Sequence, residues 1–218
     1  VQLETNKTWN GTDKTPVTPT DGVYEISTAA ELAWFADQVN AGNPAYHARL
    51  TANIYVNYGQ TSNTWTPIGD YSHMYTGTFD GNGKSVYGLT AALFGYTGEG
   101  ALVKNVTVYG SNHAADDKDT APKGGISNQA YGSFEGCVSY MTISAKWSVV
   151  GGIVGRLYAA GRITDCANYG AISSNWTGAD QNSPTCVAEV GGIAGSSSGP
   201  ITRSFNAGAV TVAQKGYG

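Results

Sequence analysis

The sequence has few charged residues and no long apolar run. Only 13% of its 218 residues are charged, and the formal net charge is −4. A chain so poor in basic residues offers no face that could neutralise a run of phosphates, so we expect no nucleic-acid partner. No stretch approaches the roughly 18 consecutive apolar residues that cross a bilayer, which predicts no membrane insertion.

The sequence also lacks the common metal-binding and catalytic motifs. The three histidines lie far apart, and the three cysteines form no C-x-x-C pair, which excludes the usual zinc patterns. No G-x-S-x-G elbow, phosphate-binding loop or dinucleotide fingerprint is present. We therefore expect no cofactor and no enzymatic activity.

What the chain does contain is 30 glycines and 14 tyrosines among many Ser, Thr and Asn residues. This composition favours short strands joined by tight turns. Residues 1–20 are rich in Thr, Asn and Pro and have no hydrophobic period, which predicts a linker or tail. We expect residues 21–218 to form a single domain.

One helix is predicted, over about residues 28–41. Thr28 and Glu31 have the spacing of a capping box, and Gly42 is a suitable stop. Apolar residues then recur at helical spacing on one face: Leu32, Phe35, Ala36 and Val39. An amphipathic helix of this kind can cover the open end of an apolar core, and we expect it to be an N-terminal cap.

From about residue 92 onward, four similar glycine-rich units follow one another. They begin at Ala92, Gly124, Gly151 and Gly191. Each unit has a Gly or Ala pair, an apolar residue, a glycine-containing turn and two runs of alternating apolar residues. Two sets of positions correspond from unit to unit: Val103, Phe134, Ile163 and Ile201, and Val106, Cys137, Cys166 and Ser204.

Each unit is too short to bury a core alone, so the units must stack. A solenoid requires the same register in every unit, because each residue lies about 4.8 Å from its counterpart in the next unit. The sequence therefore predicts an all-β parallel β-helix and not an antiparallel sandwich. The chain ends directly after a unit, so we expect it to be part of a longer polypeptide with further domains.

The two units that begin GGIVGRLYAAGRITDC and GGIAGSSSGPITRSF resemble the glycine-rich GLUG-type repeats of large bacterial surface proteins, including adhesins and certain IgA-cleaving metallopeptidases. The stretch AELAWFADQVNAG, followed by ANIYV, WTPIG and YTGTFDGNGKSVYGL, resembles the module that commonly precedes those repeats. The resemblance implies a pectin-lyase-like right-handed β-helix at the cell surface or in the secreted fraction. It implies no peptidase activity, since the metal-binding motif of those enzymes is absent.

Aromatic residues provide the candidate ligand-binding site. Tyr109, Tyr140 and Tyr169 correspond in three successive units, with Trp147, Tyr158 and Trp176 as candidate extensions in nearby loops. If the tyrosines point outward, they form a stripe suited to sugar rings or partly apolar protein surfaces. Alternatively, the stacked rings only stabilise neighbouring units, as cross-strand aromatic pairs do. Asn168 and Asn206 also correspond and predict a hydrogen-bonded ladder at a turn.

An acidic loop and two cysteines leave further alternatives open. Asp116, Asp117 and Asp119 form a candidate calcium site, because hard cations take clustered carboxylates, or they are simply solvated. Cys137 and Cys166 correspond on adjacent units, within disulfide range, so they are either bonded or buried as free thiols. In either case Cys186 is expected to be unpaired.

Two functions from different classes follow from this reading. The first is a non-catalytic adhesion, binding or spacer module that binds a glycan or protein of a host or neighbouring cell surface. The alternative is a carbohydrate-active β-helix enzyme, a polysaccharide lyase or glycoside hydrolase. Such enzymes need acids and bases on corresponding faces, whereas the charges here are single, and Asp165 is expected to pair with Arg162. The first function is therefore preferred.

Overall fold

A computed structural model describes residues 9–59, 62–113, 119, 121–145, 148–176 and 189–214. For residues 175, 176, 213 and 214 it describes only the backbone. The chain is mostly β, with one α-helix near the N-terminal end of the described part. Within that part, no helix is both long and apolar enough to span a bilayer.

The strands are short and occur along the whole described chain. The first part contains β1 (Val23–Ile26), α1 (Ala29–Asn40), β2 (His47–Leu50), β3 (Ile54–Tyr55), β4 (Thr78–Asp80) and β5 (Ser85–Leu89). The middle contains β6 (Phe94–Thr97), β7 (Leu102–Lys104), β8 (Thr107–His113), β9 (Lys123–Gly124), β10 (Ser127–Ala130), β11 (Ser133–Glu135) and β12 (Val138–Ala145). The last part contains β13 (Val150–Gly151), β14 (Val154–Leu157), β15 (Arg162–Thr164), β16 (Ala167–Asn168), β17 (Ile172–Trp176), β18 (Val190–Gly191), β19 (Ala194–Ser197), β20 (Ile201–Thr202), β21 (Phe205–Asn206) and β22 (Val210–Gln214).

These strands form four sheets in which neighbouring strands are parallel. Sheet A has the order β1-β2-β4-β7-β11-β15-β20, and sheet B has the order β3-β5-β8-β12-β16-β21. In sheet B, β17 also pairs with β12, and β22 pairs with β17. Sheet C has the order β6-β10-β14-β19, and sheet D has the order β9-β13-β18. The units that begin at Gly124, Gly151 and Gly191 each contribute strands to sheets D, C, A and B in turn, and the unit at Ala92 contributes to sheets C, A and B. This is a β-helix-like arrangement.

The register between units matches the sequence alignment. Phe134 lies opposite both Val103 and Ile163, and Ile163 lies opposite Ile201, always in parallel strands of sheet A. Asn168 donates from Nδ2 to Oδ1 of Asn206 at 2.7 Å, as the predicted hydrogen-bonded ladder requires. The expected stacking of equivalent positions is confirmed, and an antiparallel sandwich is excluded.

The core follows from the alternation of inward and outward side chains along each strand. In sheet A, the five central strands each place one fully or almost fully buried residue inward: Ala48, Phe79, Val103, Phe134 and Ile163. In sheet B, Ile54, Val86 and Val108 form a similar buried column. Because these columns cross unit boundaries, each unit is stabilised mainly by its neighbours.

Helix α1 forms as predicted. The Glu31 amide donates to Thr28 Oγ1 at 3.2 Å, and the Glu31 carboxylate accepts from the Thr28 amide at 3.0 Å, which completes the capping box. The four apolar residues expected on its inner face are all buried. The Phe35 ring lies 5.9 Å from that of Tyr24 in β1 and 6.4 Å from that of Phe79 in β4. The helix thus covers the core beside the first strands of sheet A.

Residues 9–20, which the composition predicts to be part of a linker, lie against α1. The Thr15 amide donates to the Ala30 carbonyl oxygen at 3.0 Å, and the Lys14 ammonium pairs with Asp37. Trp9 packs partly buried against the core. Val17 packs there as well, so two apolar side chains and a few polar contacts hold this segment in place without any hydrophobic period.

The turns between sheets A and B require a left-handed backbone. The residue after each sheet A strand has a positive φ in four successive units: Asn105 (52°), Gly136 (60°), Asp165 (54°) and Arg203 (47°). The segment TFDGNGK contains a comparable turn at Asn82 and Gly83, which have φ values of 51° and 70°. That turn joins β4 of sheet A to β5 of sheet B, so the two strands do not form a hairpin.

Candidate functional site

The tyrosines that correspond in sequence lie on the outer face of sheet B. In β5 and β8, Val86 and Val108 point into the core, so Tyr87 and Tyr109, each the next residue, point outward. Because the strands are parallel and in register, tyrosines of successive strands lie directly beside one another. We call this row the tyrosine ladder, and its members are Tyr55, Tyr87, Tyr109, Tyr140 and Tyr169.

The rings of the tyrosine ladder are stacked face to face. The centroid distances are 4.9, 4.6, 4.7 and 4.9 Å from the first ring to the last, and the interplanar angles are 11°, 14°, 4° and 11°. This spacing equals the distance between neighbouring strands, so stacking requires no distortion of the backbone. Phe205 lies edge-on against Tyr169, with ring centroids 5.7 Å apart.

The stacking decides which parts of the rings a ligand can reach. In the interior of the ladder, both faces of each ring are covered by its neighbours. Tyr140 and Tyr169 are nevertheless 41% and 42% exposed, so their edges and hydroxyl groups face solvent. Burial raises the pKa of Tyr109, and the phenols of Tyr87 and Tyr140 add to that rise. The ladder therefore offers a row of hydroxyl groups on an apolar strip.

Sequence reasoning found three of the five rings. It placed Tyr109, Tyr140 and Tyr169 in one row, and the structure brings them together. It missed Tyr55 and Tyr87, which precede the glycine-rich units. A signal for Tyr87 was present, because the letters VYG occur both around Tyr87 and around Tyr109.

The candidate extensions lie elsewhere or outside the described part of the chain. Tyr158 follows β14 of sheet C and stacks on Tyr131 at 4.1 Å, so it does not extend the ladder. Trp147 lies outside the described residues. The backbone of Trp176 belongs to β17, but its side chain lies outside the described atoms.

The candidate calcium ligands are only partly described. Asp116 and Asp117 lie outside the described residues. Asp119 forms an ion pair with Lys123, with Nζ and Oδ2 2.7 Å apart, so an ammonium group already occupies one of its oxygens. The described residues contain no group of three or more His, Cys, Asp or Glu side chains that could hold a metal ion.

Cys137 and Cys166 are buried free thiols at equivalent positions in the turns between sheets A and B of two successive units. Cys137 Sγ lies 3.5 Å from the Val103 carbonyl oxygen, and the Cys137 amide donates to Cys166 Sγ at 3.4 Å. Burial raises the pKa of the Cys137 thiol. Of the two alternatives, the structure contains the pair of buried thiols. Cys186 lies outside the described residues.

The charged residues on sheet A form a more regular pattern than the sequence predicted. On the outer face of sheet A, acids and bases alternate across five neighbouring strands in the order Glu25, Arg49, Asp80, Lys104 and Glu135. Lys104 Nζ lies 3.4 Å from Asp80 Oδ2. His47, Arg49, Asp80 and Lys104 line a shallow groove beside this row. The row contains no two adjacent carboxylates.

The expected Asp165–Arg162 pair is replaced by a pair between units. Arg203 donates from Nε and Nη2 to the two oxygens of Asp165 at 2.7 and 2.8 Å. The two residues occupy the same turn position in successive units, so the contact follows from the stacking. These hydrogen bonds with Arg203 lower the pKa of Asp165.

Comparisons with known proteins add no relative. No family model, curated protein or solved structure matches the chain.

Proposed function

We propose that the chain is a right-handed parallel β-helix of the GLUG-repeat type and serves as a non-catalytic binding or adhesion module of a secreted or cell-surface bacterial protein. The four parallel sheets and the matched register of the glycine-rich units support this fold. The same stack can act as a spacer that holds further domains of the polypeptide away from the surface.

The observation that carries the binding proposal is the tyrosine ladder. Five rings in one row present their edges and hydroxyl groups along a face made by five neighbouring strands. Regular hydroxyl groups on an apolar strip suit an extended ligand that lies across the strands. An extended surface glycan, or an extended segment of a surface glycoprotein, has donors and acceptors at regular intervals along its length.

The solvent exposure of the tyrosine ladder favours ligand binding in addition to structural stacking. Stacking alone would be served by fully covered rings, yet the side chains of Tyr140 and Tyr169 keep about two fifths of their surface open. Tyrosine gives large contact area at a low cost in conformational entropy, and its hydroxyl can both donate and accept. Because the stack already fixes each ring, little further ordering is needed on binding.

The test compares binding by the wild type with binding by a variant that retains the stack. The triple change Tyr109→Phe, Tyr140→Phe and Tyr169→Phe removes three hydroxyl groups and keeps the rings. On an array of mucin glycans and glycoproteins, we expect it to lose about tenfold or more in affinity, since each lost hydrogen bond costs roughly 0.5–1.5 kcal/mol. Tyr46→Phe, which removes a hydroxyl outside the ladder, beside Tyr24 of β1, is the matched control and should bind as the wild type does.

Two results would overturn the binding proposal. One is the absence of binding to every glycan and glycoprotein on the array. The other is equal affinity of the triple variant and the wild type, which would leave the ladder a purely structural feature.

The groove on sheet A supports the second candidate, a carbohydrate-active enzyme. It brings Asp80, Lys104, Arg49 and His47 together, which are the residue types that acid–base chemistry on polysaccharides uses. Asp80 is already paired with Lys104, and the row lacks the carboxylate pair of a glycoside hydrolase. Release of new chain ends from any polysaccharide at low protein concentration, abolished by Asp80→Asn, would establish the enzyme and refute a non-catalytic module.

A further inference from the structure

A second group of tyrosines lies on the outer face of sheet C and in the turns after its strands, apart from the ladder. We call it the Tyr–Gln cluster. Tyr96 in β6 and Gln129 in β10 are directly opposite each other. Tyr131 and Tyr158 directly follow β10 and β14, and Tyr71 comes from the segment before β4. The cluster shares no residue with the ladder.

Hydrogen bonds fix the polar groups of this cluster. Gln129 donates from Nε2 to the Tyr96 hydroxyl at 2.6 Å, and it accepts at Oε1 from the Tyr158 hydroxyl at 2.8 Å. The amide orientation is therefore defined at both ends. Since the Tyr96 oxygen accepts from Gln129, its own hydrogen remains to be donated. The second hydrogen on Gln129 Nε2 can also reach a ligand.

The ring faces in this cluster are arranged differently from those in the ladder. Tyr131 and Tyr158 are stacked at 4.1 Å with an angle of 2°. The residue that corresponds to Tyr131 in the preceding unit is Gly98, and the residue that corresponds to Tyr158 in the following unit is Ser198. Neither residue carries a ring, so the stack has only two members. Neither outer ring face has an aromatic neighbour at the equivalent position of the adjacent unit.

One of these two faces lies on the side of Tyr71 and Tyr96. Tyr71 is 76% exposed, and its ring stands nearly perpendicular to that of Tyr96, at 6.1 Å and 79°. The phenols of Tyr158 and Tyr71 and the carboxylate of Glu99 are close enough to raise the pKa of Tyr131, after burial, which is the largest cause. The outer face of Tyr131 therefore has an exposed aromatic wall and a fixed polar edge beside it.

We propose that this face binds one neutral sugar ring of a glycan. The C–H groups of a pyranose pack on the Tyr131 ring, Tyr71 closes one side, and the Tyr96 hydroxyl and Gln129 amide bond to sugar hydroxyl groups. An aromatic face beside oriented donors is what a ring with apolar C–H faces and a polar rim requires. A cationic ligand fits less well, because Arg156 lies next to Gln129 in the same row.

In the first experiment, the purified chain is titrated with methyl β-galactoside, methyl α-mannoside and N-acetylglucosamine. Binding is monitored by saturation-transfer NMR. We expect transfer to the C–H protons of at least one of the three sugars, with competition by the others. Tyr71→Ala should lower the affinity roughly tenfold, while Tyr71→Phe should retain it, since the ring and not the hydroxyl forms the wall. Tyr71 is largely exposed, so neither change should alter the fold.

A second pair of variants tests the assigned face and separates this site from the ladder. Ser198→Tyr adds a ring over the opposite, Tyr158 side of the stack and should leave sugar binding intact. In a Tyr140→Phe background, which alters the ladder, the difference in affinity between Tyr71→Ala and Tyr71→Phe should persist. No saturation transfer to any of the three sugars, or equal affinity of Tyr71→Ala and the wild type, would refute the site. Loss of binding in Ser198→Tyr would refute the assignment to the Tyr131 face.

Discussion

At the residue scale, the glycine pairs allow the chain to turn within a crowded interior. The second residues of strands β9, β13 and β18 in sheet D are Gly124, Gly151 and Gly191, and they occupy equivalent positions. A Cβ atom on Gly151 would lie 2.1 Å from the Val154 carbonyl oxygen and 2.4 Å from the Gly195 amide nitrogen. Both atoms belong to the backbone, so no side-chain rotation can relieve the overlap.

We therefore expect Gly151→Ala to lower the free energy of unfolding by about 3 kcal/mol or more, at the upper end of the cost of overpacking. Urea denaturation followed by circular dichroism measures this change. Gly83→Ala is the control: its φ of 70° is strained, but nothing lies within 4 Å of the new Cβ atom. It should lose only about 1 kcal/mol. Equal losses of stability in the two variants would show that overlap with the Val154 and Gly195 backbone does not determine the cost of Gly151→Ala.

The two buried thiols lead to a second residue-scale prediction. Cys137 and Cys166 are almost fully buried, and burial raises the pKa of the Cys137 thiol. The hydrogen bond with Cys137 lowers the pKa of the Cys166 thiol, so burial of both sulfur atoms has to supply the protection. Because the reagent cannot reach them, we expect both residues to resist a disulfide reagent such as DTNB in the folded state at pH 8. In a Cys186→Ser background, the native chain should release no thiol signal.

The same Cys186→Ser chain serves as its own control after denaturation. In guanidinium without reductant, two thiols should react per chain. A count of zero in guanidinium would mean that Cys137 and Cys166 are bonded, and rapid reaction of the native chain would mean that the core around them opens easily.

At the scale of elements, the start of α1 is set by one local motif. Thr28 and Glu31 satisfy each other's backbone amides, and the helix then places its apolar face over the first strands. Thr28→Ala removes the side-chain acceptor and should lower stability by about 1 kcal/mol. Thr28→Ser retains the acceptor and should cost much less. Thermal unfolding of both variants measures the difference, and equal midpoints would mean that packing alone positions the helix.

The elements differ in how well the sequence predicted them. The helix and β1 could be predicted because their signals are local: a capping box, a helical apolar period and a short alternating run. The pairing of β11 with β7 and β15 could be predicted because repetition encodes register. Sheet D could not, because it consists of two-residue strands built around glycine, and the same letters would also suit an ordinary turn.

The candidate sites show the same division between repeated and unrepeated signals. Tyr109, Tyr140 and Tyr169 were predicted because they recur within the aligned units. The Tyr–Gln cluster was missed because the aligned units carry different residue types at this position, Tyr96 and Gln129, and because Tyr71 precedes the units. The alternating charges on sheet A were missed because three of them precede the aligned units, and because the later units carry Thr164 and Thr202 at the position of Lys104 and Glu135.

At the scale of the whole molecule, the two ends of the described stack are unlike. Near β1, α1 covers the core, and residues such as Phe35 and Phe79 are fully buried. In the last unit, apolar residues that correspond to buried ones are open: Ile201 is 39% exposed, whereas its counterpart Ile163 is fully buried. Phe205, Val210 and Val212 are also exposed. In a solenoid each unit depends on its neighbours, so this difference must appear as a gradient of local stability.

We expect hydrogen exchange to reveal that gradient in the isolated chain. Amides of β7, β11 and β15 bond to strands on both sides and should be the most protected, while those of β20, β21 and β22 should exchange fastest, since each has a strand on one side only. Phe134→Ala, in the middle of the sheet A column, should reduce protection in the strands on both sides of β11 as well as in β11 itself. Exchange measured by mass spectrometry after limited labelling resolves these segments. Uniform protection along the chain, or a loss in Phe134→Ala that stays within β11, would mean that the units do not stabilise one another in the way their matched register indicates.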